Sequence, residues 1–381
     1  MPEHNPLRFA TALSAKLAAR SRHVCVFLGA GVGCACGLPD VHGLQKLVLS
    51  ALNPHDAEML KLQLEKRNLE QALSRLRRIA GLLTVGELID KLSSVQATAL
   101  DTAVCQAIVK QLEITSKTDL SSVSFFASWA RGARYHLPLE IFTVNYDLLL
   151  ETALEKCRVP YFDGFVGTLR ARFHTELVEG TVGKDEEHVP AFFVRLWKLH
   201  GSVNWVWENQ KTIVRLGRSV ETGMAAAIYP SDAKYDESRR VPFVVLQDRF
   251  RRAMEEPESL VIIAGYSFSD DHLNELIFGA AGRRQRSEFV ALCYSEIPEI
   301  LANRAVNTPN LQVAGAKEAV LGGVRGAWKA PDNAQPGLWD KGQFVLGDFQ
   351  NLAAYLARST GAELAGGESP SASGTRDNGR T

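Results

Sequence analysis

Residues 24–40 read VCVFLGAGVGCACGLPD, and the reading of this stretch decides the fold. An apolar, partly β-branched run (Val24, Val26, Phe27, Leu28) breaks into Gly29, Gly31, Gly33 and Gly37, the pattern of a buried strand entering a tight turn. Glycine lets the backbone turn sharply and approach a phosphate with no Cβ in the way, and the amides of the turn and of the helix start beyond it then face an anion. Glycine-rich turns after strands also serve packing alone, so this stretch by itself leaves nucleotide binding and plain packing both open.

Working outward, residues 7–21 carry apolar and small residues at helical spacing and predict a leading helix packed on the sheet. Residues 43–135 are helical in character: Leu69, Leu73, Leu76, Ala80 and Leu83 recur on one face, with Glu65, Arg67, Glu70, Arg75, Arg77 and Arg78 between them as a solvated face. A block of this length exceeds a crossover helix and predicts a helical layer inserted between the first strand and the next. Strands follow at Leu139–Val144, 195–201, Ala226–Tyr229, Leu260–Ala264, Phe289–Tyr294 and Leu311–Val313, with a helix after Asp147. The stretch 158–194, containing Gly164, Gly167, Gly180, Gly183 and a charged GKDEEH segment, reads as loop-rich and mobile, and 361–381 as a disordered tail.

Buried strands alternating with helices predict an α/β protein: a Rossmann-like, doubly wound, mainly parallel sheet with a smaller helical domain. The expected division is a discontinuous Rossmann-type domain over 1–45 and 136–360 and a helical insertion domain over 46–135. In such sheets ligands bind beyond the carboxyl ends of the strands, near the switch point in strand order. Glycines and polar residues cluster at those ends: Gly29 to Asp40, Asn145 to Asp147, His200 to Ser202 and Gly265 to Asp271. The four segments are expected to converge on one cleft.

Lys plus Arg and Asp plus Glu number 43 each, so the formal net charge is zero and no global field attracts nucleic acid. No apolar run approaches the roughly 20 residues that span a bilayer, and the N-terminus lacks a signal-peptide pattern, so the expectation is a cytoplasmic protein without membrane attachment. The six cysteines form no C-x-x-C pair, which argues against a disulfide framework and a structural zinc site. Cys34 and Cys36 lie in the Gly-rich turn, with nothing beside them to lower a thiol pKa. Arg239-Arg240, Arg249/Arg251/Arg252 and Arg283/Arg284/Arg286 read as solvated faces, and Trp205 and Trp207 as two rings on one face of a strand.

Taken together, the four segments resemble the sirtuin family and its sirtuin-like NADase branch. GAGVGCACGLPD (29–40) is similar to the sirtuin phosphate loop, TVNYD (143–147) to its T-x-N-x-D motif, and LHGS (199–202) to its catalytic His-Gly segment. GYSFSDDHLN (265–274) is similar to the later loop that receives the dinucleotide's ribose, and GDFQNLAAYL (347–356) to the closing helix. The resemblance implies NAD as substrate, with Gly29, Ala30, Gly31 and Gly33 at the pyrophosphate. It places Pro39 and Asp40 against the nicotinamide pocket and Asp147 on the carboxamide. Gly201, Ser202, Gly265, Ser267 and Asp271 are further cofactor-binding candidates, with Asn274 beside them.

The residue chemistry agrees with that resemblance. Breaking NAD's N-glycosidic bond generates an oxocarbenium-like ribose and needs positioned hydroxyls and a delivered nucleophile. His200 titrates near neutrality and can act as general base toward a ribose hydroxyl or water; the alternative is a hydrogen-bonded core histidine. Asn145 carries donor and acceptor groups and orients without titrating. An Asn-x-Asp after a strand is also a common turn or helix cap, Asp40 also reads as a surface turn, and Ser-x-Ser-Asp also reads as a helix N-cap.

Departures from the sirtuin pattern bear on the activity. Deacylating sirtuins carry paired C-x-x-C zinc motifs after the catalytic histidine segment, and none follows His200, so no zinc is expected. They follow the phosphate loop with Phe-Arg, where Val41-His42 stands here, and have Ile where Tyr146 stands. These differences favour an NAD glycohydrolase, with a deacylase, an ADP-ribosyltransferase or a non-catalytic NAD or ADP-ribose sensor as alternatives. The resemblance further implies an NAD-depleting effector of anti-phage defence, a homo-oligomer, and a partner such as a HerA-type ATPase or an Argonaute-type sensor.

Overall fold

The computed structural model describes residues 2–180, 189–208, 212–217, 226–228, 241–332 and 335–359. The expected tail at 361–381, the GKDEEH segment, Tyr229 and Arg239-Arg240 lie outside these residues. The chain begins with β1 (Glu3–His4), α1 (Pro6–Ala18), β2 (Val24–Leu28) and α2 (Gly31–Ala35). Five helices follow: α3 (Val41–Ala51), α4 (Pro54–Leu64), α5 (Leu69–Leu82), α6 (Ser94–Gln111) and α7 (Ser121–Gly132). Then come β3 (Glu140–Thr143), α8 (Leu149–Lys156), β4 (Tyr161–Phe162), β5 (Phe165–Val166), β6 (Arg170–Phe173), α9 (Thr175–Glu179), β7 (Val194–Lys198), β8 (Gly201–Glu208), β9 (Thr212–Leu216) and β10 (Ala226–Ile228). The remainder is α10 (Phe243–Met254), β11 (Leu260–Ala264), α11 (Asp271–Arg283), β12 (Glu288–Leu292), α12 (Glu299–Val306), β13 (Leu311–Ala314), β14 (Glu318–Leu321), β15 (Val324–Trp328), β16 (Trp339–Asp340), β17 (Gln343–Phe344) and α13 (Phe349–Ser359).

Ten strands form one sheet in the order β1-β15-β14-β13-β12-β11-β2-β3-β7-β4. From β13 to β4 every pairing is parallel, while β14 is antiparallel to both of its neighbours. The side-chain period of two splits each central strand between the two faces. Val24, Val26 and Leu28 join one core with Ile141, Leu260 and Ile262, whereas Cys25 and Phe27 join the opposite core with Phe142, Val261 and Ile263. All five β2 side chains are fully buried, as a strand covered by helices on both faces requires. The architecture is the α/β, Rossmann-like, mainly parallel sheet expected from the sequence.

Helices α3 to α7 stand between β2 and β3, and Val48, Leu60, Leu76, Leu100 and Phe126 share one continuous core with that sheet face. Their charged residues are not simply a solvated face. Arg75 pairs with Asp90 at 2.6 Å, Arg77 with Asp101 at 2.9 Å, and Glu70 accepts a hydrogen bond from the Tyr146 hydroxyl at 2.6 Å. The stretch 158–194, expected to be loop-rich, also contains β4, β5, β6 and α9 in its described part. There β5 and β6 complete a second, antiparallel sheet in the order β10-β8-β9-β6-β5. Trp205 is buried in that layer against Phe165, and Trp207 packs on the same core. Short two- to five-residue strands with glycine turns carry too little periodicity to be read from sequence.

At the amino ends of the central strands sits a buried charge cluster. Glu140 accepts from His23 Nε2 (3.0 Å), Trp197 Nε1 (2.7 Å) and Arg249 Nε (2.8 Å). Burial pushes the Glu140 carboxyl up, but the Arg249 charge and the His23 hydrogen bond outweigh it and hold the group well below the usual carboxylate range. Arg249, read from sequence as part of a solvated face, is instead a partly buried partner of Glu140. Among the described residues no helix is long and apolar enough to cross a membrane.

Candidate functional site

The register of the sheet explains why distant segments meet. Leu28 pairs with both Ala264 and Thr143, and Thr143 pairs with Lys198, so the carboxyl ends of β11, β2, β3 and β7 lie in one row. The chain leaves β2 to build β3 on one side and later returns to build β11 on the other. Strand order therefore reverses between β2 and β11, which places a ligand crevice there. The segments that leave these four ends are Gly29 onward, Val144 to Asp147, Leu199 to Ser202 and Gly265 to Asp271. The structure brings together the four segments singled out in the sequence.

Hydrogen bonds tie them to one another. The amides of Gly29 and Gly31 donate to the carbonyls of Ala264 (3.0 Å) and Gly265 (2.9 Å). A Cβ at Gly29 would lie 2.5 Å from the Gly265 oxygen, and one at Gly31 would lie 2.6 Å from the Gly265 Cα, while Gly265 itself has φ +63°. These three glycines thus answer to loop-on-loop packing. Gly33 differs: its nearest neighbours to a Cβ are Leu38 at 3.6 Å and Asp147 Oδ2 at 3.7 Å, which is ordinary contact. Ala30 is the cap before α2.

Asn145 is buried; its Nδ2 donates to the Gly29 carbonyl at 3.0 Å and its amide to Thr143 Oγ1 at 3.0 Å. Asp147 is also buried; its Oδ1 accepts from the amide of Leu149, the first residue of α8, at 3.0 Å, while Oδ2 faces Gly33. Burial raises the Asp147 carboxyl, with the Lys198 charge opposing. Lys198 is 3% exposed; its ammonium donates to the Asp147 carbonyl and pairs with Glu151 at 2.9 Å.

His200 is buried, and its Nε2 lies 3.4 Å from Asp270 Oδ2. Burial alone would lower the imidazole pKa, but the hydrogen bond to Asp270 and the charges of Glu70 and Asp270 outweigh it, so the net shift is upward. The same contact helps hold the Asp270 carboxyl low against burial. Gly201 has φ +89°, and Ser202 Oγ donates to the Tyr146 carbonyl at 3.3 Å.

Other residues singled out in the sequence sit at the periphery. Asp40 is the N-cap of α3, accepting from the Gly43 amide at 2.6 Å, and Pro39 precedes it, half-buried. Ser267 and Asp271 are exposed, with Ser267 Oγ 2.9 Å from Ser269 Oγ. Asn274 is buried and committed to its own loop, donating to the Phe268 carbonyl at 2.8 Å and accepting from Tyr266 at 3.1 Å. Cys34 is exposed and Cys36 buried, and burial raises both thiols. Among the described residues no group of three or more His, Cys, Asp or Glu side chains is arranged to hold a metal ion.

Asp270, Lys198 and Glu70 went unrecognised in the sequence. Asp270 is the N-cap of α11, and its neighbour Asp271 drew the assignment instead. Lys198 carried a signal, as a lone cation in the apolar run of β7. Glu70 carried none, because only tertiary packing brings α5 to Tyr146.

Residues 139–313 match a family model described as a SIR2-like domain. Solved structures that match include the crystal structure of a SIR2 homolog–NAD complex, with 15% identity, coverage of 92% of this chain and 93% of that chain, and a TM-score of 0.48. Among curated proteins none matches. Over the segment that carries Asn145, Asp147, His200 and Asp270, the chain thus matches the family of SIR2-like domains.

Proposed function

We propose that the chain is a sirtuin-like NAD glycohydrolase that cleaves NAD to nicotinamide and ADP-ribose. The observation that carries this reading is the row of strand ends at the switch point, where Asn145, Asp147 and the Asp270-paired His200 stand together beside the Gly-rich turn. The residues present fit the dinucleotide. Gly33 brings the backbone of the turn to within ordinary contact of Asp147 Oδ2, a carboxylate oxygen able to accept from a carboxamide NH2. In hydrolysis the C–N glycosidic bond breaks and nicotinamide leaves with the bonding pair. A C–O bond forms from water to the anomeric carbon, and the water proton passes to His200. Asn145 orients the water or the ribose without changing charge.

Two features favour water over an acyl acceptor. Val41, where deacylating sirtuins carry the shielding aromatic ring, is 47% exposed at the start of α3. No C-x-x-C pair follows His200 to build a zinc module. By the same resemblance the physiological role is depletion of NAD in anti-phage defence, under control of homo-oligomerisation and a partner of the HerA-type ATPase or Argonaute-type sensor class. Incubation of the purified protein with NAD alone, and with its co-purifying partner, tests the activity. Nicotinamide release without an acceptor protein is expected; strict dependence on an acylated peptide would replace this reading with deacylation.

A further inference from the structure

Helix α5 starts in a capping box, Asn68 with Gln71, that fixes its first turn and with it Glu70. From that turn Glu70 Oε1 accepts the Tyr146 hydroxyl at 2.6 Å, and Tyr146 is 9% exposed. The other end of Tyr146 is held from β8: its carbonyl accepts from the Val203 amide at 2.9 Å and from Ser202 Oγ at 3.3 Å. Tyr146 stands between Asn145 and Asp147, so both flank a residue held at its carbonyl by Val203 and Ser202 and at its hydroxyl by Glu70 of the inserted helices. The charges of Glu70 and Asp270 both push the His200 imidazole up.

We infer that Glu70 is a positioning residue for this site, which holds the Asn145–Asp147 segment through the Tyr146 hydroxyl and makes a competent site depend on the docking of α5. The inference rests on the NAD-cleaving reading for its consequence, but not for its geometry. Any partner or self-association that shifts α5 would release Tyr146, loosen Asn145 and Asp147 together, and remove a negative charge from the surroundings of His200. The helical insertion would thereby act as a control element on the pocket, a role that suits an enzyme whose unregulated turnover empties the cell of NAD.

The test compares Glu70→Gln and Tyr146→Phe with the parent chain by two readouts. The first is the His200 titration, followed by NMR of histidine labelled at the Cε1 carbon and assigned with His200→Gln. The second is nicotinamide release against pH. Glu70→Gln is expected to move the His200 titration to lower pH, since a negative charge is lost. Tyr146→Phe, which keeps that charge and breaks the tether, is expected to lower kcat about tenfold with a smaller change in the titration. Melting temperatures close to that of the parent check that both variants fold. A folded Tyr146→Phe variant that releases nicotinamide with the parent's kcat overturns the tether, and a His200 titration in folded Glu70→Gln that coincides with the parent removes the charge coupling whether or not NAD is cleaved. Absence of nicotinamide release from the parent chain both alone and with its co-purifying partner, with the titration moved as expected, overturns the NAD reading and leaves the coupling standing.

Discussion

His200 Nε2 lies 3.4 Å from Asp270 Oδ2, a contact between the end of β7 and the N-cap of α11 across the switch point of the sheet. Asp270 has two duties, since its Oδ1 caps α11 through the His272 and Leu273 amides while Oδ2 faces the imidazole. Asp270→Asn keeps a good N-cap and removes the charge. Asp270 raises the His200 pKa, so its neutralisation lowers that pKa, and a base that works in its neutral form then becomes active at lower pH. The rising limb of the nicotinamide-release profile is expected to move to lower pH in Asp270→Asn; a limb that stays in place would remove His200 as the titrating base.

His200→Ala and Asn145→Ala are each expected to lower nicotinamide release about 100-fold or more. Asn145→Ala also loses the bond to the Gly29 carbonyl, which costs about 1 kcal/mol of stability. Denaturant unfolding alongside the assay separates the two effects.

The glycines of the turn divide into two kinds. Gly29→Ala and Gly31→Ala drive a Cβ into the Gly265 backbone and are expected to destabilise the chain by about 3 kcal/mol or to prevent its accumulation. Gly33→Ala meets nothing closer than 3.6 Å, so its melting temperature should stay near that of the parent while its KM for NAD rises about tenfold. An unchanged KM would remove Gly33 from the dinucleotide site.

Glu140 and Arg249 concern stability rather than chemistry, for they sit at the opposite ends of the strands from His200. Glu140→Leu leaves Arg249 and the Trp197 and His23 donors without their acceptor, at a cost of about 3–5 kcal/mol. The folded carboxyl titrates below its unfolded value, so the parent holds this stabilisation in full above the ordinary carboxylate range and loses it as pH falls toward the depressed folded value. Urea midpoints measured on both chains from neutral pH downward should converge as the pH falls.

What the sequence by itself determined is the layered α/β plan and the four segments of the site. Runs such as Val24–Leu28 and Leu260–Ala264 are apolar on both faces, which only a strand covered on both sides satisfies, and glycines and polar residues can gather only where such strands end. The helical stretch after β2 was legible for the same reason, through the spacing of Leu69, Leu73 and Leu76. Tertiary structure alone decided which groups touch. Asp270 rather than Asp271 reaches His200, because the cap turn directs one carboxylate inward and leaves its neighbour in solvent. Glu70 reaches the Asn145–Asp147 segment because α5 is folded back over Tyr146, a contact across 76 residues of chain that no local pattern encodes. Likewise, the reason for Gly29 and Gly31 lies with Gly265, more than two hundred residues away in sequence and in van der Waals contact in space. Local periodicity reports which face a residue presents; the partner on that face is set by strand register and helix docking, and these are properties of the folded chain as a whole.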